Sequence, residues 1–188
     1  MKKVEDKAGW AEQADKKGVK VYQKTAPDGS IMLKGVGTIK APAGKVLAVL
    51  EDIESRGKWD LFFDTGKMNK LTDTCGSAHL KFKSYYTVWA RDFTVAMIRQ
   101  DLENGSSLCI AESVVLPELP ETSDCVRGTL DASGFLVEPL SETECRLTYI
   151  LQIDLKGWIP TYLSNMVNVY QPLCIIGIRK LLTNSTDP

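Results

Sequence analysis

The sequence predicts an α+β fold in which a curved antiparallel β-sheet wraps around a long C-terminal α-helix. Three observations carry that prediction. Segments with strand-like alternation follow one another from Gly66 to Leu155, and their short polar connections suit antiparallel neighbours. A helical interlude separates them from two earlier strands. From Thr161 to Thr183, Leu163, Met166, Val167, Tyr170, Leu173, Cys174, Gly177, Ile178 and Leu181 recur at steps of three and four, which gathers apolar side chains on one helix face. That face needs a cover. A many-stranded antiparallel sheet twists and curls, so it would wrap the helix and enclose either a core or a cavity.

Taken in order, residues 4 to 17 read as a short helix, with Trp10 and Ala14 on its buried face and Gly18 as its stop. Val19 to Gln23 alternates, Pro27 to Ser30 is a turn, and Ile31 to Ile39 is a second strand, so the pair reads as a hairpin. From Pro42 the period changes: Val46, Leu47, Val49, Leu50 and Ile53 form a helical stripe ending near Ser55-Arg-Gly57, and a second short helix or turn carries Lys58 to Phe63. Strands then span Gly66–Leu71, Ala78–Tyr86, Asp92–Leu102, Ser107–Val115, Val126–Leu130, Gly134–Leu140 and Cys145–Leu155, with Asn104-Gly-Ser106 and Asp131-Ala-Ser133 as connections. Pro160 precedes the final helix, where a missing N–H costs little. Pro172 falls inside it, where the lost hydrogen bond should kink it.

The chain has 188 residues and no linker-like stretch, so it reads as a single domain over residues 1–188, although it equally fits one domain of a longer protein. With 44% hydrophobic and 25% charged residues and a formal net charge of −1, it lacks the basic stripe of a nucleic-acid binder. Five cysteines, odd in number and without a C-x-x-C pair, suit buried thiols in a reducing compartment better than disulfides or a zinc site. The N-terminus has no signal-peptide core, and no run approaches the ~18 apolar residues of a membrane span. The expected setting is cytoplasmic.

Catalysis has little support in these residues. His79 is the only histidine and has no nucleophile at a telling distance, and Gly35-Val-Gly37 sits in a strand without the rest of a phosphate loop. No catalytic residue, metal ligand or cofactor is assigned. Strand alternation places Phe93, Val95, Met97 and Arg99 on one face of their strand, and Leu147, Tyr149, Leu151 and Ile153 on one face of theirs.

Particular residues go beyond pattern. Trp59-Asp60 after a helix, Arg91-Asp92-Phe93 opening a strand, Ser113-Val114 before Pro117-x-x-Pro120, Val126-Arg127-Gly128, and Asp154-Leu-Lys-Gly-Trp-Ile-Pro160 before the last helix resemble the START lipid-transfer domain, in its order and spacing, from about Trp10 to Leu182. The resemblance implies a helix-grip fold with an internal tunnel for one lipid, and a lipid carrier rather than an enzyme. It places Met97 and Tyr149 at the tunnel wall, and with their strand-mates it makes Phe93, Val95, Arg99, Ser113 and Leu151 candidate lining residues. The helical stripe, with Met166, Val167, Tyr170 and Cys174, would roof the lipid.

Some sterol-binding relatives carry an arginine at the Met97 position, paired with a buried carboxylate, and this chain does not. A ligand hydroxyl would then meet Tyr149, Ser113, Thr148 or water. The Asp154–Pro160 segment is most similar to the sterol-binding branch, which favours a sterol. The alternatives are phosphatidylcholine or another phospholipid, with Arg99 or Arg127 facing its phosphate, or a lipid-sensing or helix-grip enzyme module. For release, Leu116 and Leu119 in the proline-flanked loop and the Pro172 kink would form a gate that meets a membrane surface transiently. The expected carrier is a monomer.

Overall fold

A computed structural model of the chain describes residues 9–85 and 88–184. Among the described residues ten strands form one sheet: β1 Ala11–Lys16, β2 Val19–Thr25, β3 Ile31–Ile39, β4 Phe63–Lys70, β5 Cys75–Phe82, β6 Ala90–Asp101, β7 Ser107–Ser113, β8 Cys125–Arg127, β9 Thr129–Ser141 and β10 Glu144–Asp154. Helix α1 spans Ala43–Glu51 and is followed by a 3-10 turn at Arg56–Lys58. Two further helices, α2 Thr161–Tyr170 and α3 Cys174–Asn184, end the described chain.

The spatial order is β1-β2-β3-β10-β9-β7-β6-β5-β4, all antiparallel, with the short β8 lying parallel to the start of β6. Pairing of β3 with β10 brings the N-terminal hairpin beside the last strand, so the helices between and after these strands lie against one continuous curved surface. This is the expected grip of sheet on helix. Its densest part joins Val19, Leu33 and Ile39 to Val137 and Leu147, and the α3 residues Ile175 and Ile178 close it.

Four local readings are corrected. The helix expected over residues 4–17 is the edge strand β1 from Ala11 onward, while its first residues lie outside the described ones. Ala11 to Lys16 are helix-tolerant types, but pairing with β2 outweighs that weak preference. Lys17 and Gly18, at φ 51° and 69°, form the hairpin turn, so Gly18 ends no helix. Asp131-Ala-Ser133 is not a connection but lies inside β9, where the register against β10 shifts. Finally, the long C-terminal helix is not merely kinked: it breaks at Gln171-Pro172-Leu173. Pro172 has no N–H to continue the ladder, and the chain crosses the gap by Leu173 N to Tyr170 O and Cys174 N to Gln171 O, both 3.1 Å.

Helix α3 is seated by absent side chains. A Cβ on Gly35 would come within 2.7 Å of the Pro172 carbonyl oxygen, and one on Gly177 within 2.2 Å of the Trp59 carbonyl oxygen. Gly35 and Gly37 therefore let the helix approach β3 closely, which is the role of the two glycines that formed no phosphate loop. The Arg179 guanidinium adds bonds to the carbonyls of Thr38 at 2.8 Å and Lys17 at 2.6 Å.

Candidate functional site

The sheet's concave face and the helices enclose a cavity of about 150 Å³. One water needs only about 10–15 Å³ of such space, so the volume suits a larger occupant. Its wall is overwhelmingly apolar: Leu80 and Phe93 from β5 and β6, Phe135 and Tyr149 from β9 and β10, and Leu163 and Val167 from α2. The Phe135 and Tyr149 rings stack at 4.2 Å, and Trp59 meets Phe135 edge-on at 6.3 Å.

Lys83, Arg91, Ser133 and a buried polar cluster interrupt this wall. Arg56 and Asp60 lie one helical turn apart around the 3-10 segment, and both are buried, Asp60 at 1% exposure. Asp60 Oδ2 accepts from Arg56 Nε and Nη2, each at 2.9 Å, and from Gln171 Nε2 at 3.0 Å, while Oδ1 accepts from the Phe62 amide at 3.2 Å. Burial works against the Arg56 charge, but the Asp60 carboxylate prevails and raises its pKa. The guanidinium also lies 5.2 Å from the Trp59 ring and 5.5 Å from those of Phe63 and Phe82. Burial pushes the Tyr149 hydroxyl and the Cys174 thiol well above their ordinary values, so both stay protonated. Asp60 Oδ2 already accepts three bonds and Oδ1 one, whereas Trp59 Nε1 is buried without a partner. The cluster therefore holds more donors than acceptors, and a polar atom entering the cavity is best received as an acceptor.

One end of the cavity opens between the segment after β5 and the segment after β10. Tyr85, Val88 and Trp89 line one side, and Leu155 and Ile159 the other. Arg91 straps the two sides together: Nη1 donates to Trp89 O at 2.6 Å, Nε to Leu155 O at 3.1 Å and Nη2 to Lys156 O at 3.0 Å. Large apolar side chains stand exposed here, Trp89 at 62%, Trp158 at 76% and Tyr162 at 62%.

Of the residues expected at the ligand, the structure brings Phe93, Met97, Tyr149, Leu151, Met166 and Val167 to this one wall. The others lie elsewhere. Val95 is fully buried in the core, and Cys174 is packed into it. Ser113 Oγ accepts the Leu130 amide at 2.8 Å, tying β7 to β9. Tyr170 projects outward, its ring 4.6 Å from the Lys16 ammonium. Arg99 binds Glu51 at 2.6 Å outside the cavity, and Arg127 grips Asp92 through Nε at 2.9 Å and Nη2 at 2.8 Å, so neither is a free phosphate partner.

The residues expected at the gate lie away from the cavity. Leu116 and Leu119 are half-buried rather than exposed, and Arg127 holds their loop through the Leu119 carbonyl at 3.2 Å; neither residue lines the cavity. Pro172 is buried against Gly35 on the fixed side of the helix break. Alternation gives the correct face of β6 and β10 but not how far along a strand the cavity extends. Arg56 and Gln171 were missed. The spacing Arg56-x-x-x-Asp60 was the available signal for the first, and nothing local distinguishes Gln171.

Comparison with known proteins gives a consistent result. The model of the START domain family matches residues 2–184. START domain-containing protein 10 of Mus musculus is 28% identical over 166 residues, covering 86% of this chain and 56% of that protein. The steroidogenic acute regulatory protein of Xenopus laevis is 31% identical over 170 residues, covering 86% of this chain and 59% of that protein. The chain thus spans little more than half the length of these relatives. The structure of human StAR-related lipid transfer protein 5 superposes with a TM-score of 0.91 at 21% identity, covering 99% of this chain and 92% of that one, which establishes the fold.

Proposed function

The chain belongs to the START domain family, and from that premise we propose that it carries one lipid molecule in its cavity and exchanges it with membranes, without catalysing a reaction. The observation that carries this reading is the apolar cavity wall with a buried, donor-rich cluster at Arg56, Asp60, Tyr149 and Gln171. Such a site fits an amphiphile with a large hydrocarbon body and one small oxygen-bearing end. Burial of apolar surface, at about 25 cal/mol per Å², drives uptake, and the cluster sets orientation.

A sterol is the favoured cargo. Its hydroxyl oxygen accepts from the donors around Arg56, and its rings match the aromatic wall of Phe93, Phe135 and Tyr149. A phospholipid is the second reading, favoured by one observation: the buried cation Arg56 lines the cavity, and its bonds to Asp60 use Nε and Nη2, which leaves Nη1 for a phosphate oxygen. Contact with the bilayer falls to Trp89, Trp158 and Tyr162 around the opening rather than to Leu116 and Leu119.

Mass spectrometry of lipid extracted from the purified protein tests the reading and names the cargo, and transfer between donor and acceptor vesicles tests carriage. Recovery of a sterol or phospholipid at near-equimolar amount is expected. Absence of any lipid, together with no saturable binding of a fluorescent sterol or a fluorescent phosphatidylcholine, overturns it.

A further inference from the structure

We infer that Gln171 is the positioning residue that couples the occupant of the cavity to the opening of α2, an inference that rests on the carrier function proposed above. The C-terminal helix is two bodies with different anchorage. Helix α3 is held by close backbone approaches at Gly35 and Gly177 and by Arg179 on the Thr38 carbonyl. Helix α2 buries a single residue, Leu163, while Met166 and Val167 are only half-buried over the cavity. The loosely held half is therefore the movable one, and the break at Pro172 is where it turns.

Gln171 stands at that break. Its backbone N–H ends α2 on the Val167 carbonyl at 2.9 Å, and its buried side chain crosses to Asp60 Oδ2 at 3.0 Å. Gln171 also lines the cavity, as Tyr149 does. A swing of α2 that carries Gln171 with it must break a buried amide–carboxylate bond, which makes the side chain a latch.

The latch senses the cavity because Asp60 is shared. Its oxygens serve Arg56 and Gln171 together. A lipid oxygen that draws donors from Arg56 leaves Asp60 relying on Gln171, so a filled cavity holds α2 closed. Departure of the lipid returns Arg56 to Asp60, whose Oδ2 is then shared among Arg56 Nε, Arg56 Nη2 and Gln171 as in this structure, and the latch is weakened rather than broken.

Two variants of the full chain test this. Gln171→Leu keeps the bulk and removes the bond. Amide hydrogen exchange should then quicken by about tenfold over residues 161–170 and stay unchanged over residues 174–184, with fluorescent sterol leaving for phosphatidylcholine vesicles faster by a similar factor. Gln171→Glu places a second carboxylate beside Asp60, among Arg56, Tyr149 and Cys174. Sterol release from it should rise with pH as that carboxylate ionises and repels Asp60, whereas the parent protein stays flat from pH 5 to 8.

Unchanged protection over residues 161–170 in Gln171→Leu, equal loosening of both helices, or a flat pH profile in Gln171→Glu overturns the inference. If the fluorescent sterol does not bind the parent protein, the sterol reading fails, and the exchange measurement on Gln171→Leu still decides whether the latch exists.

Discussion

Replacing Asp60 with alanine removes the acceptor on which Arg56, Gln171 and the Phe62 amide converge. With side-chain exposures of 10% for Arg56 and 1% for Asp60, the pair counts as buried, and removing one partner of such a pair costs about 3–5 kcal/mol. Gln171 and Phe62 would each add about 1 kcal/mol or more if left dry. The neighbouring cavity admits water to meet part of that need, so a loss of about 4 kcal/mol is expected. For a chain of 188 residues this corresponds to a fall in Tm of about 8–16 °C.

Replacing both charges, Arg56→Met with Asp60→Leu, leaves no orphaned ion and should recover about 2–3 kcal/mol relative to the single variant while weakening lipid retention. Urea unfolding followed by tryptophan fluorescence, with the slope checked for constancy, measures both. A single-variant loss below about 1 kcal/mol would mean the pair is hydrated. A double variant no better than the single one would mean the pair stabilises the fold on its own account. Either result refutes the reasoning.

Three further outcomes are expected. Arg91→Ala cuts the strap across the opening, so bound lipid should leave several-fold faster in a fluorescence dissociation assay, and an unaltered rate would show that the strap does not limit exit. Met97→Trp pushes an indole into a cavity of about 150 Å³, so lipid should no longer co-purify although Tm changes little; full lipid recovery would place Met97 outside the occupied space. For Asp92, burial raises the carboxyl pKa, and the bonds from Arg127 and His79 more than reverse that, leaving it lowered. A lowered carboxyl pKa contributes stability above the unfolded value of about 3.9 and loses it as pH falls through the folded value. Tm should therefore drop below about pH 4 and do so less steeply in Asp92→Asn; equal slopes would contradict the pairing.

What the sequence reveals divides along the range of the interactions. Alternation in β6 and β10 is a property of neighbouring residues, so their inner faces are legible, and Phe93, Met97, Tyr149 and Leu151 reach the cavity as expected. Ala11 to Lys16 carry no such signal: only the partner strand β2 makes them a strand. Ser113, Arg99 and Arg127 are polar residues on or near the right strands, and the sequence does not reveal that Leu130, Glu51 and Asp92 already engage them. The same limit hides the site's own polar group. Arg56 and Asp60 at a one-turn spacing look like a solvated surface pair, and their burial depends on the backbone approach of Gly177 to Trp59 from more than a hundred residues away.

That approach also explains why the helix needs its break. Gly177 and Gly35 fix α3 by backbone contact, and a continuous helix would transmit the same fixity to the residues over the cavity. Pro172 interrupts the ladder at the boundary. Because it offers no N–H, tilting α2 strips no hydrogen bond from that position, and the chain crosses the break on the turn bonds of Leu173 N to Tyr170 O and Cys174 N to Gln171 O. The backbone pairing between the two helices at the break is thus confined to short turn bonds. The resistance to opening then resides in side chains, chiefly in the Leu163 contact and the Gln171 bond to Asp60. A lid held by side-chain bonds responds to what lies in the cavity, as a lid held by a rigid helix would not.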